Sequence, residues 1–167
     1  MTDLAELEAR IRRLEDIEAI KMLKYKYFRA LDRKLWDELA QCFTEDATTG
    51  YSDGDLQFQG VDEIISFLKS SMRASFFGIH HGHHPEIKMT SESTAHGTWA
   101  FYSYMVDSQE KMGLRMGALY YDDYVKVDGQ WRIKHTGYNT IFQEVWNRED
   151  IKSLALTAAT KFESAEE

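Results

Sequence analysis

The spacing of apolar residues changes character halfway along the chain. Over residues 3–31 they fall at Leu4, Leu7, Ile11, Leu14, Ile17, Ile20, Leu23 and Tyr27. Steps of three and four predict one long helix. Asp3, with Glu6 three residues on, has the pattern of a capping box at its start. At about 1.5 Å per residue this helix is roughly 40 Å long, more than a domain of this size is wide. Its first half is therefore expected to project and to bury its stripe against a neighbouring subunit.

Leu31-Asp32-Arg33-Lys34 interrupts the pattern, and Leu35, Trp36, Leu39 and Phe43 mark one face of a short second helix from about Leu35 to Cys42. Turn signals at Glu45-Asp46 and at Ser52-Asp53-Gly54-Asp55 bracket a short strand ending at Tyr51, with which Gln57 to Gln59 can pair. Val61, Ile64, Ile65 and Leu68 predict a third helix from about Val61 to Met72.

Beyond residue 85 the period becomes two. Glu86–Met89, Thr94–Val106, Leu114–Val127 and Trp131–Ile141 read as strands, the last two joined by a tight Asp128-Gly129 hairpin. A terminal helix is expected from about Arg148. Helices first and long antiparallel strands later define an α+β fold. A single curved sheet with helices on its concave side encloses a pocket, the usual setting for a small ligand.

Composition narrows the function. A chain of 167 residues is one domain by size. The net charge of −8 and the lack of any basic run argue against nucleic acid or an anionic membrane as partner. Cys42 is the only cysteine, so there is neither a disulfide framework nor a thiolate-rich zinc site. With no span-length apolar segment and a charged helical N-terminus, a cytoplasmic protein is expected.

The candidate chemistry concentrates in Ile79-His80-His81-Gly82-His83-His84-Pro85, which holds four of the six histidines around a glycine and beside the only proline. It reads as a bend around Gly82. Along an extended segment His80 and His84 point one way and His81 and His83 the other, so they do not converge on one ion. Glu86 is the nearest carboxylate, and no metal is expected. Proton transfer is the stronger reading, because a histidine base works best when a carboxylate fixes its tautomer. Asp32 is the best placed carboxylate, although from position alone it serves equally well as the cap of the second helix. Tyr51, closing a strand at a turn, either points a phenol into a pocket or packs at its rim. The strand tyrosines, Tyr121 among them, read first as sheet packing.

At Asp32 and His80 a family likeness appears. Lys26-Tyr27-Phe28-Arg29-Ala30-Leu31-Asp32-Arg33-Lys34-Leu35-Trp36-Asp37 and Ile79-His80-His81-Gly82 resemble motifs of the SnoaL-like, nuclear transport factor two-like families. Tyr51-Ser52-Asp53-Gly54, Lys69-Ser70-Ser71-Met72, Gly82-His83-His84-Pro85-Glu86-Ile87 and Asp128-Gly129-Gln130-Trp131 extend the resemblance over about residues 14–147, nearest to the bile-acid dehydratases. Scytalone dehydratase and hexachlorocyclohexane dehydrochlorinase are more distant relatives with the same Asp/His arrangement.

The resemblance implies a cone-shaped α+β barrel over the whole chain, often trimeric. It implies a cofactor-independent dehydratase acting on a hydrophobic, steroid-like or polyketide-like ring compound. An isomerase or cyclase on the same pair, or a non-catalytic binding module, are the alternatives. Carried over, it makes Asp32 and His80 the catalytic pair and Tyr27 and Tyr51 phenols that orient substrate or leaving hydroxyl. His83 and Tyr121 become candidate substrate contacts. At two positions the chain departs from the bile-acid enzymes: Ser103 stands where they carry an acidic residue and Thr140 where they carry an arginine. Those substitutions bear on the substrate more than on the reaction class.

Overall fold

A computed structural model describes residues 3–162. Helix α1 runs Leu4–Arg33, α2 Trp36–Ala40 and α3 Val61–Ser71. Five strands, β1 (Phe43–Gly50), β2 (Phe76–Met89), β3 (Thr94–Asp107), β4 (Met112–Val127) and β5 (Gln130–Asn147), form one sheet in the order β1-β5-β4-β3-β2. β1 lies parallel to β5 and every other pairing is antiparallel. The helices pack on this curved sheet, which does not close into a barrel, because β1 and β2 remain its edges.

α1 is the anticipated long helix, with two differences at its ends. Asp3 occupies the N-cap without a side-chain hydrogen bond, so the capping box does not form. The helix also runs past Leu31 to Arg33, and Lys34 ends it in the left-handed conformation (φ 55°). Asp32 consequently lies in the last turn of α1 and does not cap α2, whose N-cap is Leu35. The core-facing stripe follows Ile20, Leu23, Tyr27 and Leu31, three to four apart, with Phe28 and Ala30 beside it.

Three strand expectations are corrected. Glu45-Asp46 is not a turn but the irregular middle of β1, where the register with β5 shifts. The histidine segment is not a bend around Gly82: it belongs to β2, which pairs with β3 from Phe76 onward. The irregularity comes later, as a bulge between His83 and Glu86 with His84 at φ 47°. β5 continues to Asn147, six residues beyond the apolar alternation that announces it.

The hairpin is as expected, with Asp128 (φ 51°) and Gly129 (φ 76°) both left-handed at its tip. Thr49 donates its N–H to Phe58, so residues 57–59 do pair with β1. No terminal helix forms within the described residues. A 3-10 turn at Arg148–Asp150 is followed by irregular chain to residue 162.

The concave side is filled rather than hollow. Trp99, Tyr120, Tyr124 and Ile133 from the sheet meet Ile20, Tyr27, Leu39 and Ile64 from the helices, all nearly inaccessible. Among the described residues no helix is long and apolar enough to cross a membrane.

Candidate active site

The last turn of α1 lies beside β2, and that contact creates the site. Asp32 uses both carboxylate oxygens on one residue: Oδ1 lies 2.6 Å from His80 Nδ1, and Oδ2 accepts the His80 backbone N–H at 3.1 Å. The ring and the main chain of His80 are thereby held together. A carboxylate at Nδ1 selects the tautomer with its proton on that nitrogen, which leaves Nε2 free as an acceptor. The His80 side chain is only 6% exposed and that of Asp32 18%.

Two aromatic rings pack beside the imidazole, and on each other with centroids 6.3 Å apart. Phe28 stacks at 6.3 Å and 15°, Phe101 at 5.5 Å and 23°. Gly82 makes the Phe28 position possible, since a Cβ there would come within 2.3 Å of the Phe28 ring. The glycine of the histidine motif thus serves close packing rather than a turn. Beside the pair, burial lowers the pKa of Lys34 against the opposing charge of Asp32, and its ammonium donates to the Phe76 carbonyl at 2.8 Å.

An open cavity of about 530 Å³ lies against this pair, lined by Tyr25, Phe28, Arg29, Asp32, His80, His83 and Thr160 among others. His83 therefore reaches the cavity wall. It stacks on His81 with ring centroids 5.6 Å apart, on the face of β2 opposite His80. The histidines divide between two faces, as the strand alternation demands. Among the described residues no three His, Cys, Asp or Glu are grouped to hold a metal ion.

The other candidate residues lie elsewhere. Tyr27 and Tyr51 form a hydroxyl pair at 3.3 Å, both buried behind Phe28 and off the wall of this cavity. Burial pushes both phenol pKa values up, so each stays protonated and able to donate. Ser103 is fully buried, sits directly across the ladder from His80, and its hydroxyl has no hydrogen-bond partner. Tyr121 is half exposed and projects from the opposite face of β4 to the buried Tyr120. It is not a wall of this cavity. The Thr140 backbone N–H donates to Asp53 at 2.7 Å, tying β5 to the turn after Tyr51, also away from the cavity.

Sequence reasoning missed the deepest polar group. Lys24 is fully buried, 2.8 Å from Asp122 Oδ2, with its ammonium 3.9 Å from the Tyr120 ring centroid. Asp122 also accepts the hydroxyls of Tyr124 and Thr136, each at 2.6 Å. Burial lowers the Lys24 pKa, while the Asp122 charge opposes that shift. The available signal was a lysine on the core stripe, between Leu23 and Tyr27.

A curved, mostly antiparallel sheet covered by helices, with a half-shielded His/Asp pair at a cavity wall, defines a small α+β cone of the cystatin-like kind. The chain belongs to the SnoaL-like domain family, which matches residues 12–137. Among solved structures it is similar to a Novosphingobium aromaticivorans protein provisionally assigned as a scytalone dehydratase. That pair shares 24% identity over 94% of this chain and 99% of that one, at a TM-score of 0.75. It is also similar to a type 2 hexachlorocyclohexane dehydrochlorinase, with 17% identity over 82% and 93% of the two chains and a TM-score of 0.75. A second N. aromaticivorans protein, described as having a cystatin-like fold, shares 19% identity over 84% and 92%, with a TM-score of 0.72. At these identities the likeness establishes the fold.

Proposed function

We propose that the protein is a lyase, a dehydratase that removes water from a hydrophobic, ring-bearing substrate of steroid-like or polyketide-like shape. The observation that carries this reading is the His80–Asp32 pair, 2.6 Å apart at a cavity wall. His80 Nε2 takes a proton from an activated C–H, the electron pair forms the new C=C bond, and the C–O bond on the neighbouring carbon, on the side facing His80, breaks. The imidazolium, stabilised by Asp32, returns its proton to the departing hydroxide, so one molecule of water leaves and the enzyme is regenerated. Both proton transfers are completed by His80, and no cofactor is required for the balance. Such shuttling contributes about 10²–10⁴-fold.

The remaining site residues take supporting roles. Phe28 and Phe101 suit a flat apolar ring, and His83 contacts it from the rim. A substrate that displaces the Phe28 ring meets the protonated phenols of Tyr27 and Tyr51, which donate to its oxygen. Ser103, whose unpartnered hydroxyl costs about 1–3 kcal/mol while buried, lies across the ladder from His80 and off the cavity wall, and has no direct substrate contact in this scheme. Tyr121 and Thr140, off the cavity, have no assigned contact in this scheme.

An isomerase or cyclase is the second reading, because a single imidazole balances a proton moved from one carbon to another equally well. Incubation with hydroxylated ring compounds, followed by mass spectrometry, separates the two: a product lighter by one water marks the dehydratase, equal mass the isomerase. Turnover that survives unchanged in both His80→Ala and Asp32→Asn overturns the enzyme reading. We further propose a homo-oligomer, a trimer by the resemblance, supported by the exposed Tyr102, Tyr104 and Tyr121 on the outer sheet face. A cytoplasmic location fits the unpaired, buried Cys42.

A further inference from the structure

The first half of α1 is amphipathic in the wrong sense for packing on its own domain. Leu4, Leu7, Ile11 and Leu14 are 45–68% exposed, on a stretch exposed throughout residues 3–15. On the side nearest the body Ala9, Arg12, Arg13 and Asp16, with Glu15 at the margin, line the groove beside the β2–β3 turn, and Asp16 there accepts from the Trp131 indole at 2.9 Å and pairs with Lys126. At about 100° per residue the exposed stripe points roughly 150–180° away from the buried stripe of Ile20, Lys24, Tyr27 and Leu31. Two apolar faces therefore leave one helix in opposite directions. Only the second is covered.

The uncovered stripe has coiled-coil spacing. Steps of three, four and three place Leu4 and Ile11 at a positions and Leu7 and Leu14 at d positions. A β-branched residue at a with leucine at d favours two parallel strands. The flanking charges favour the parallel orientation on balance: in an in-register pair the g-position Arg10 of each helix meets the e-position Glu15 of the other, while Asp3 at the helix start meets Glu8 with like charge. An antiparallel pairing would set Arg10 near Arg10 and Glu8 near Glu8. Neither Arg10 nor Glu15 has an ion-pair partner within the chain among the described residues. Because the stripe faces away from the body, two copies can meet along it with their domains on opposite sides.

We propose that residues 4–14 of α1 form a self-docking seam, on which a second copy of this chain packs its own α1 parallel and in register. The seam is four layers over about 15 Å, short enough that association through it depends on concentration. It is independent of any contact through the sheet face.

Cysteine cross-linking reads the geometry directly. Leu7→Cys places two thiols at one d layer, so mild oxidation converts it to a disulfide-linked dimer. Ala9→Cys, on the body-facing side, stays uncrosslinked. The native Cys42 gives little background, since burial raises its thiol pKa to about 11. In sedimentation velocity over a concentration series, Ile11→Asp weakens self-association more than tenfold. Arg10→Glu weakens it about two- to fivefold, and Arg10→Glu with Glu15→Arg restores it. All these side chains lie on the helix surface, and circular dichroism confirms that the variants are folded. Equal cross-linking at positions 7 and 9, self-association unchanged by Ile11→Asp, or a chain that stays monomeric throughout the series overturns the seam.

Discussion

Two His/Asp pairs of nearly identical bond length occur among the described residues, and only one of them is shielded from solvent. His80 and Asp32 are 2.6 Å apart, His96 and Asp123 2.5 Å. The second pair even lines the larger cavity, about 1130 Å³ against 530 Å³. The difference is exposure: 6% and 18% for the side chains of the first pair, 63% and 50% for the second. Water competes for both groups of the exposed pair and screens their attraction, so neither tautomer nor orientation is held. Asp32 in addition binds its partner's main chain, and two neighbouring aromatic rings pack against that partner's imidazole; among the described residues no ring packs on His96. Asp122 with Lys24 completes a series, a carboxylate wholly enclosed and bound by three donors, with nothing left to offer a substrate.

The sharpest way to break this comparison is to remove one carboxylate at a time. Asp32→Asn or His80→Ala should lower turnover by about 10²–10⁴-fold, read as initial rates on an accepted ring substrate. Lys24→Met leaves Asp122 buried without its cation and should cost about 3–5 kcal/mol in chemical denaturation. Gly82→Ala pushes a methyl group into the Phe28 ring. It should lose about 1–3 kcal/mol by the same measurement and lower turnover as well, since Phe28 holds His80. Asp123→Asn should change stability by less than about 0.5 kcal/mol and leave turnover unaltered. A large effect there would mean that the exposed pair has a function of its own.

How much of this was legible in the sequence depended on how far the information reaches along the chain. α1, α3 and the Asp128-Gly129 hairpin rest on local periodicity and turn chemistry, and all three form, α1 differing only at its ends. Asp32 and His80 needed a relation across 48 positions, which the motif likeness supplied and geometry then joined. β2 was cut short because His80–Pro85 lacks apolar alternation; its pairing is enforced by β3 rather than by its own residues. Similarly, residues 142–147 of β5 are mostly exposed and carry no one-sided pattern, yet they complete the ladder with β4. Tyr120 and Tyr121 are neighbours whose opposite fates follow from strand phase, and a one-residue uncertainty in phase exchanges them. Lys24 was passed over because a lysine is seldom fully buried.

The position of β2 at the sheet margin has a cost beyond the site it builds. A strand that keeps one side open so that His80 can face a cavity also presents unpaired main-chain groups, a template on which another chain can add a strand. The protein limits that hazard within the same motif. Pro85 has no N–H to give, and His84, in a left-handed conformation at the bulge, twists the margin out of line. The run of free edge is thereby divided in two, each part too short to recruit a long partner. The lone proline thus guards the strand that carries His80 against aggregation.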